Sequence, residues 1–375
     1  MRREKKTMST DEKVLVTNSD KQKADKNREA VLKSIRFEKP DYIPMSFVIN
    51  TASWNAYPHE ALFELMESHP FLFPDFVRPQ APFVPKHLNV AQKDKPYRDD
   101  WGCLWQTTMD GITGTVTGHP LDDWTKFGTY QIPDPKVCMG IGPVDWAKER
   151  SRIARLKEEG RLTMEGLRHG HTFLQISDIR GYENVIFDML DEEPMLQVLL
   201  DEIVKFNTYI IQQYADMGVD ILTYAEDLGM QCGPMLSPDN FREYILPCYQ
   251  RMLRPAKEKG ILVHMHSDGD IRTLAPMLLE CGMDVLNLQD LVNGIGWIKE
   301  NLAGKVCVEL DIDRQKITPF GTEQEVDRLI LEEVKELGSR QGGLMMVYGL
   351  YPGVPLKNVK ALMDAMEKYA FYYAG

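Results

Sequence analysis

In the run ILVHMHSDGD, His264, His266 and Asp268 occupy alternate positions. Side chains two residues apart in a β-strand point to the same face, so these three project together while Val263 and Met265 project to the other side. Two imidazoles and a carboxylate converging on one point can hold a divalent metal. The plainer alternative is a hydrogen-bonded histidine beside an aspartate that caps the following helix. The run VCVELDID divides in the same way, with Val306, Val308, Leu310 and Ile312 on one face and Cys307, Glu309, Asp311 and Asp313 on the other. Acids directed into an interior are costly without a partner. Glu309 or Asp311 is therefore a candidate general base, metal ligand or anchor of a histidine tautomer, with a satisfied ion pair as the plain alternative.

Other polar residues stand at the ends of apolar runs. Tyr224, Glu226 and Asp227 close VDILTYAED, Asn287 and Gln289 share parity in DVLNLQD, His169 and His171 follow TMEGL, and Tyr348 ends GLMMVYG. For the acids, helix capping competes with chemistry; for a single His or Tyr, a structural role competes with substrate contact. No Ser-centred elbow and no cysteine nucleophile with a neighbouring histidine stands out, so covalent hydrolysis is disfavoured.

These residues need strands that end at a common mouth. From Leu162 onward, strand-like and helix-like segments alternate: TMEGL, VDILTYAED, ILVHMHSD, DVLNLQD, KVCVELD and GLMMVYG, each followed by helical sequence. An earlier helix near Asn27 and the run YIPMSFVIN open the series. So many βα units in succession predict a single (β/α)8 TIM barrel, whose catalytic residues come from the carboxyl ends of its strands. A doubly wound open sheet is the alternative, but no Gly-x-Gly-x-x-Gly or Walker-type loop follows any strand. Residues 1–26, rich in Lys, Asp and Ser, read as a solvated tail, and 27–375 as the barrel. Within it, about 83–134 has the Gly, Pro, Trp and Thr texture of hairpins and is expected as an insertion at the rim.

The chain has 375 residues, 43% of them hydrophobic, enough for a large core. A net charge of -12 with no compact basic stripe disfavours nucleic acid and anionic membrane surfaces as partners. Six dispersed cysteines without a Cys-x-x-Cys pair, and no apolar stretch long enough for a bilayer, point to a cytoplasmic location.

Four stretches share a further pattern: NREAVLKSIRFEKPDYIPM, AEDLGMQCGPMLSPDNFREYILPCYQRML, HMHSDGDI and GGLMMVYGLYPGVPLKNVKALMDA. Together they resemble the uroporphyrinogen decarboxylase superfamily over nearly the whole chain after the tail. That superfamily contains decarboxylases of heme synthesis and methyltransferases that work with corrinoid proteins, so the resemblance implies the barrel but leaves the activity open. The decarboxylases have an amino-terminal arginine-bearing segment that holds substrate carboxylates. The corresponding IPMSFVINTASWNAYP has no arginine, and none occurs between Arg36 and Arg78. The methyltransferases hold zinc with a His-x-Cys pair and a late Cys; here His264 matches the His, His266 takes the Cys place, and the late Cys is replaced around Leu350.

The resemblance therefore implies a methyltransferase component that moves a methyl group from a small donor to a corrinoid carried by a partner protein, assisted by zinc. Methoxylated aromatics head the donor classes, ahead of methylamines and methanol-like compounds. The expected metal ligands are His264, His266 and Glu226; the expected catalytic groups are Asp227, Asp268 and Glu309. Tyr224, His169, Gln289, Tyr348 and Trp101 are expected to contact substrate, with Trp105 in the same apolar pocket. A cofactor-independent decarboxylase and a barrel that only docks a partner are the competing functions, and self-association of the barrel is expected from the superfamily.

Overall fold

The structure, a computed structural model, describes residues 18–80 and 82–374. Seven strands form one parallel sheet: β1 Met45–Ile49, β2 Met164–Gly166, β3 Ile221–Ala225, β4 Leu262–Ser267, β5 Val285–Gln289, β6 Cys307–Asp311 and β7 Leu344–Leu350. Their spatial order is β1-β7-β6-β5-β4-β3-β2, so the first strand lies beside the last and the sheet curls into a half-barrel of the TIM-barrel type. The expected architecture is present with seven strands among the described residues rather than eight. β1 and β2 are not hydrogen-bonded to each other, and this seam is where the long segment between them leaves the sheet.

Within that segment, Tyr97–Arg98, Leu104–Gln106 and Thr115–Gly118 form a small antiparallel sheet, as the texture of 83–134 predicts. Its attachment is polar and buried. Asp99 accepts the indole N–H of Trp105 at 2.9 Å and pairs with Arg168, whose other partner is Asp178 at 3.0 Å. The opening helix spans Asn18–Arg36 and so starts earlier than Asn27; residues 1–17 of the expected tail lie outside the described residues.

Helices cover the outside of the sheet because their apolar residues recur every three or four positions. Pro194–Met217 buries Leu196, Leu199, Leu200, Ile203, Val204, Ile210, Ile211 and Tyr214. Glu193 caps its first turn, and Gly218, with φ 66°, ends it in the left-handed conformation that glycine adopts freely. Glu323–Leu337 opens with a reciprocal capping box between Thr322 and Glu325. No helix among the described residues is long and apolar enough to cross a membrane.

Two loops that carry site residues meet backbone to backbone. A Cβ built on Gly269, whose φ is +82°, would lie 2.1 Å from the carbonyl carbon of Gly229. Only glycine permits this approach, which brings the segment after β3 against the segment after β4.

Candidate functional site

β4 lies between β3 and β5, with His266 opposite Ala225 on one side and Asn287 on the other. The Asn287 amide donates from Nδ2 to the Glu309 carbonyl at 2.8 Å, which orients its Oδ1 toward His266. His266 donates Nδ1–H to that oxygen. The imidazole tautomer is thereby set, and Nε2 faces the carboxylates: Asp227 Oδ1 at 3.5 Å and Asp268 Oδ1 at 4.0 Å. From the end of β2, His169 brings its Nε2 to 3.3 Å from Asp227 Oδ1. One ligand atom from each of His169, Asp227 and His266 lies within 4.8 Å of the other two.

The charge balance follows from this packing. Burial alone would raise Asp227, yet hydrogen bonds from His169 and His266 outweigh it and hold the carboxyl far below the usual carboxylate range. Burial disfavours a charged His266, but Asp227 and Asp268 prevail and push it up to about 9. Arg314 Nη2 lies 2.7 Å from Asp311 and 3.2 Å from Asp268, with its guanidinium 5.3 Å from the Tyr351 ring centroid. Desolvation nevertheless pushes Asp311 up to about 7, with Arg314 opposing the rise.

The residues expected from sequence fall into separate groups. His169, Asp227, His266 and Asp268 come together, and Gln289 supports them by accepting the Gly269 N–H at 3.0 Å. His264 does not join its neighbour two residues on; its Nε2 is 2.7 Å from Glu309 Oε2, in a separate pair nearer the amino-terminal end of the barrel. Glu226 is fully buried on the helix side of β3. It accepts the backbone N–H groups of Thr172 and Leu174 at 2.7 and 3.0 Å and the Tyr249 hydroxyl at 2.5 Å. The expected set His264–His266–Glu226 is thus not assembled. His169 takes the place beside His266, and Asp227 supplies the carboxylate.

Alternation along the strands explains the other departures. Tyr224 shares parity with Glu226 and points to the helix layer, where its hydroxyl donates to the Met252 carbonyl at 3.2 Å. Tyr348 is likewise directed outward, donating to Thr318 Oγ1 at 3.1 Å. Trp101 is buried in the insertion against Phe206, with ring centroids 4.9 Å apart, and Trp105 is bonded to Asp99. His171 is buried with Nδ1 2.7 Å from Thr172 Oγ1. Arg314 was not singled out from sequence, although its place three residues after the inward-facing Asp311 is a signal for it; Arg168, next to His169, is another such residue.

Zinc chemistry fits the donor set. Two imidazoles and one carboxylate are zinc ligands, the Nδ1–H to Asn287 bond leaves His266 Nε2 for the metal, and three protein ligands leave a fourth position open, as catalytic zinc sites require.

A parallel barrel with a histidine–carboxylate cluster at the carboxyl ends of its strands defines the class. The profile of the uroporphyrinogen decarboxylase (URO-D) family matches residues 109–369, and the chain belongs to that family. Similar proteins include the uroporphyrinogen decarboxylase of Trichlorobacter lovleyi, 23% identical over 69% of this chain and 74% of that one. The methylcobamide:CoM methyltransferase MtaA of Methanosarcina barkeri is 20% identical over 69% of this chain and 77% of its own. In fold, the chain is similar to a methyltransferase from Methanosarcina mazei, with a TM-score of 0.62, 18% identity and coverage of 92% of this chain and 98% of that one.

Proposed function

We propose that the protein is a methyltransferase component that transfers a methyl group from a small donor, of the methoxylated aromatic class, to a corrinoid carried by a partner protein. His169, Asp227 and His266 would hold zinc. The observation that carries this reading is the tautomer of His266: Nδ1–H is committed to Asn287, and Nε2 faces Asp227 beside His169. Zinc bound there would polarise the heteroatom of the donor, so that the electron pair of the breaking C–O bond stays on oxygen while the methyl group passes to the reduced corrinoid. Asp227, held ionised, keeps the two histidines in place. Asp311, pushed up to about 7 by burial against the opposing charge of Arg314, which also reaches Asp268, is the candidate for the group that protonates the leaving oxygen.

The raised Asp311 also suits a decarboxylase, which must protonate a carbanion. The arginines weigh against a polycarboxylate substrate. Arg168 is paired with Asp99 and Asp178, and Arg314 with Asp311 and Asp268, so both guanidiniums near the cluster are already matched by acids.

Metal analysis and a methyl-transfer assay with reduced corrinoid protein test the proposal on protein without a histidine tag. Near-stoichiometric zinc is expected in the wild type and in His264→Ala, with loss in His169→Ala and His266→Ala and parallel loss of transfer. Zinc that disappears only in His264→Ala would overturn the ligand assignment. Absence of zinc from every sample after zinc is supplied, or corrinoid-independent release of carbon dioxide from a carboxylated substrate, would overturn the function.

A further inference from the structure

The amino-terminal end of the barrel, opposite the candidate metal centre, contains a cavity of about 470 Å³ at the seam between β1 and β2. Its walls include Met45, Met164, Met345 and Met346 from strand starts, together with Phe71 and Leu72. This volume suits a small organic molecule, and unbranched thioether side chains adapt to varied apolar shapes. His264 and Glu309 lie at its inner end. His264 stands two residues beyond the level at which β3 begins, because Ile221 pairs with Leu262, so the pair is roughly 7 Å deeper than the strand starts.

Glu309 has an unusual environment for an interior acid. It is the third residue of a five-residue strand and faces the barrel interior, yet a fifth of its side-chain surface is accessible. Glu309 lines the cavity together with His264. Oε2 is hydrogen-bonded to His264 Nε2 at 2.7 Å, whereas Oε1 has no hydrogen-bond donor among the described residues. A carboxylate oxygen exposed to this chamber, whose polar lining otherwise consists of Lys26, Asn27, Tyr42, Ser46 and His264, is costly unless a cation or strong donor meets it.

We propose that this cavity is a second binding site, separate from the metal centre, for a primary alkylammonium whose charged head meets Glu309 Oε1 and whose apolar chain lies among the methionines. The Met164 side of the chamber is its entrance, since Met164 is partly exposed and stands at the start of the edge strand β2. The site does not depend on the methyltransferase reading, because none of its residues belongs to the His169–Asp227–His266 cluster.

The test uses the full chain and three probes of equal chain length: n-hexylammonium, n-hexanol and n-hexanoate. Binding is followed by calorimetry and by NMR of methionine methyl groups labelled with ¹³C. Hexylammonium is expected to bind at least about tenfold more tightly than hexanoate, the worth of one modest charge-assisted contact, and to shift the methyl signals of Met164 and Met345. Glu309→Gln is expected to remove the preference for the ammonium while hexanol still binds, and Met164→Trp to block all three probes. His266→Ala is expected to leave hexylammonium binding unchanged, which separates this site from the metal centre. Equal binding of ammonium and carboxylate, no shift at Met164 and Met345, or binding that survives both Glu309→Gln and Met164→Trp would overturn the proposal.

Discussion

Asp227 accepts the backbone N–H of Asp268 at 3.0 Å through Oδ1, the same oxygen that faces His169 and His266. One carboxylate thus joins three strand ends, β2 through His169, β3 through its own chain and β4 through His266 and Asp268. The geometry of the centre depends on how firmly these ends are held, and the outer contacts can be tested individually.

Asn287 is the contact that sets the tautomer of His266. Replacing it with Leu removes the acceptor for Nδ1–H while keeping much of the volume. Zinc affinity in Asn287→Leu is expected to fall about 10- to 100-fold, the usual cost of losing an outer hydrogen bond to a metal-bound histidine. Competition with a chromophoric chelator measures it. Unchanged affinity would remove Asn287 from the design of the site.

The close approach of Gly229 and Gly269 is the second contact. Gly269→Ala adds a methyl group that meets the Gly229 backbone and does so at a φ of +82°. Destabilisation of more than about 1 kcal/mol is expected, together with weakened zinc binding, because Asp268 and Asp227 move apart with the loops. Urea unfolding and the chelator assay read the two effects. A fully stable variant with normal zinc affinity would mean that the loops relax independently of the centre.

Strand periodicity explains what could be read from the chain before its structure. The βα succession and the common direction of His266 and Asp268 follow from local alternation, and both stand in the fold. Pairing between strands is not local. His264 and His266 share parity, but Glu309 reaches from β6 to His264, whereas Asp227 and His169 reach His266 from β3 and a βα loop. Likewise, Glu226 and Asp227 are adjacent acids on opposite faces of one chain. Which face meets the helices becomes evident only when Thr172, Leu174 and Tyr249 are seen around Glu226.

Glu226 therefore offers a discriminating substitution. With Oε1 accepting two N–H groups at the start of helix Phe173–Arg180, Glu226→Gln weakens a cap instead of a metal site. A loss of roughly 1–3 kcal/mol in stability is expected, because an amide replaces one of the two buried oxygens that accept from Thr172, Leu174 and Tyr249, with zinc content retained. Loss of zinc at unchanged stability would restore Glu226 to the ligand set.

The last prediction concerns pH. In metal-free protein, His266 is pushed up to about 9 in the folded state by Asp227 and Asp268, against the desolvation that opposes it, whereas an unfolded histidine titrates near ~6.5. Between these values the folded chain binds more protons than the unfolded one, so stability falls as pH rises. The contribution is fully present below about 6.5 and lost as pH passes through 9; linkage bounds it at roughly 3 kcal/mol. Asp227, whose pKa is depressed, acts in a different window: its contribution is present above about 3.9 and fades only in acid. Chelator-treated protein is thus expected to show a melting temperature that declines from pH 6.5 to 9, and His266→Asn is expected to flatten that decline. Zinc-loaded protein is expected to show the opposite trend in metal affinity over the same range, because His266 must lose its proton to bind the metal. A metal-free melting curve that is flat from 6.5 to 9 in the wild type would show that His266 is neutral in the fold and that Asp227 and Asp268 do not hold a proton on it.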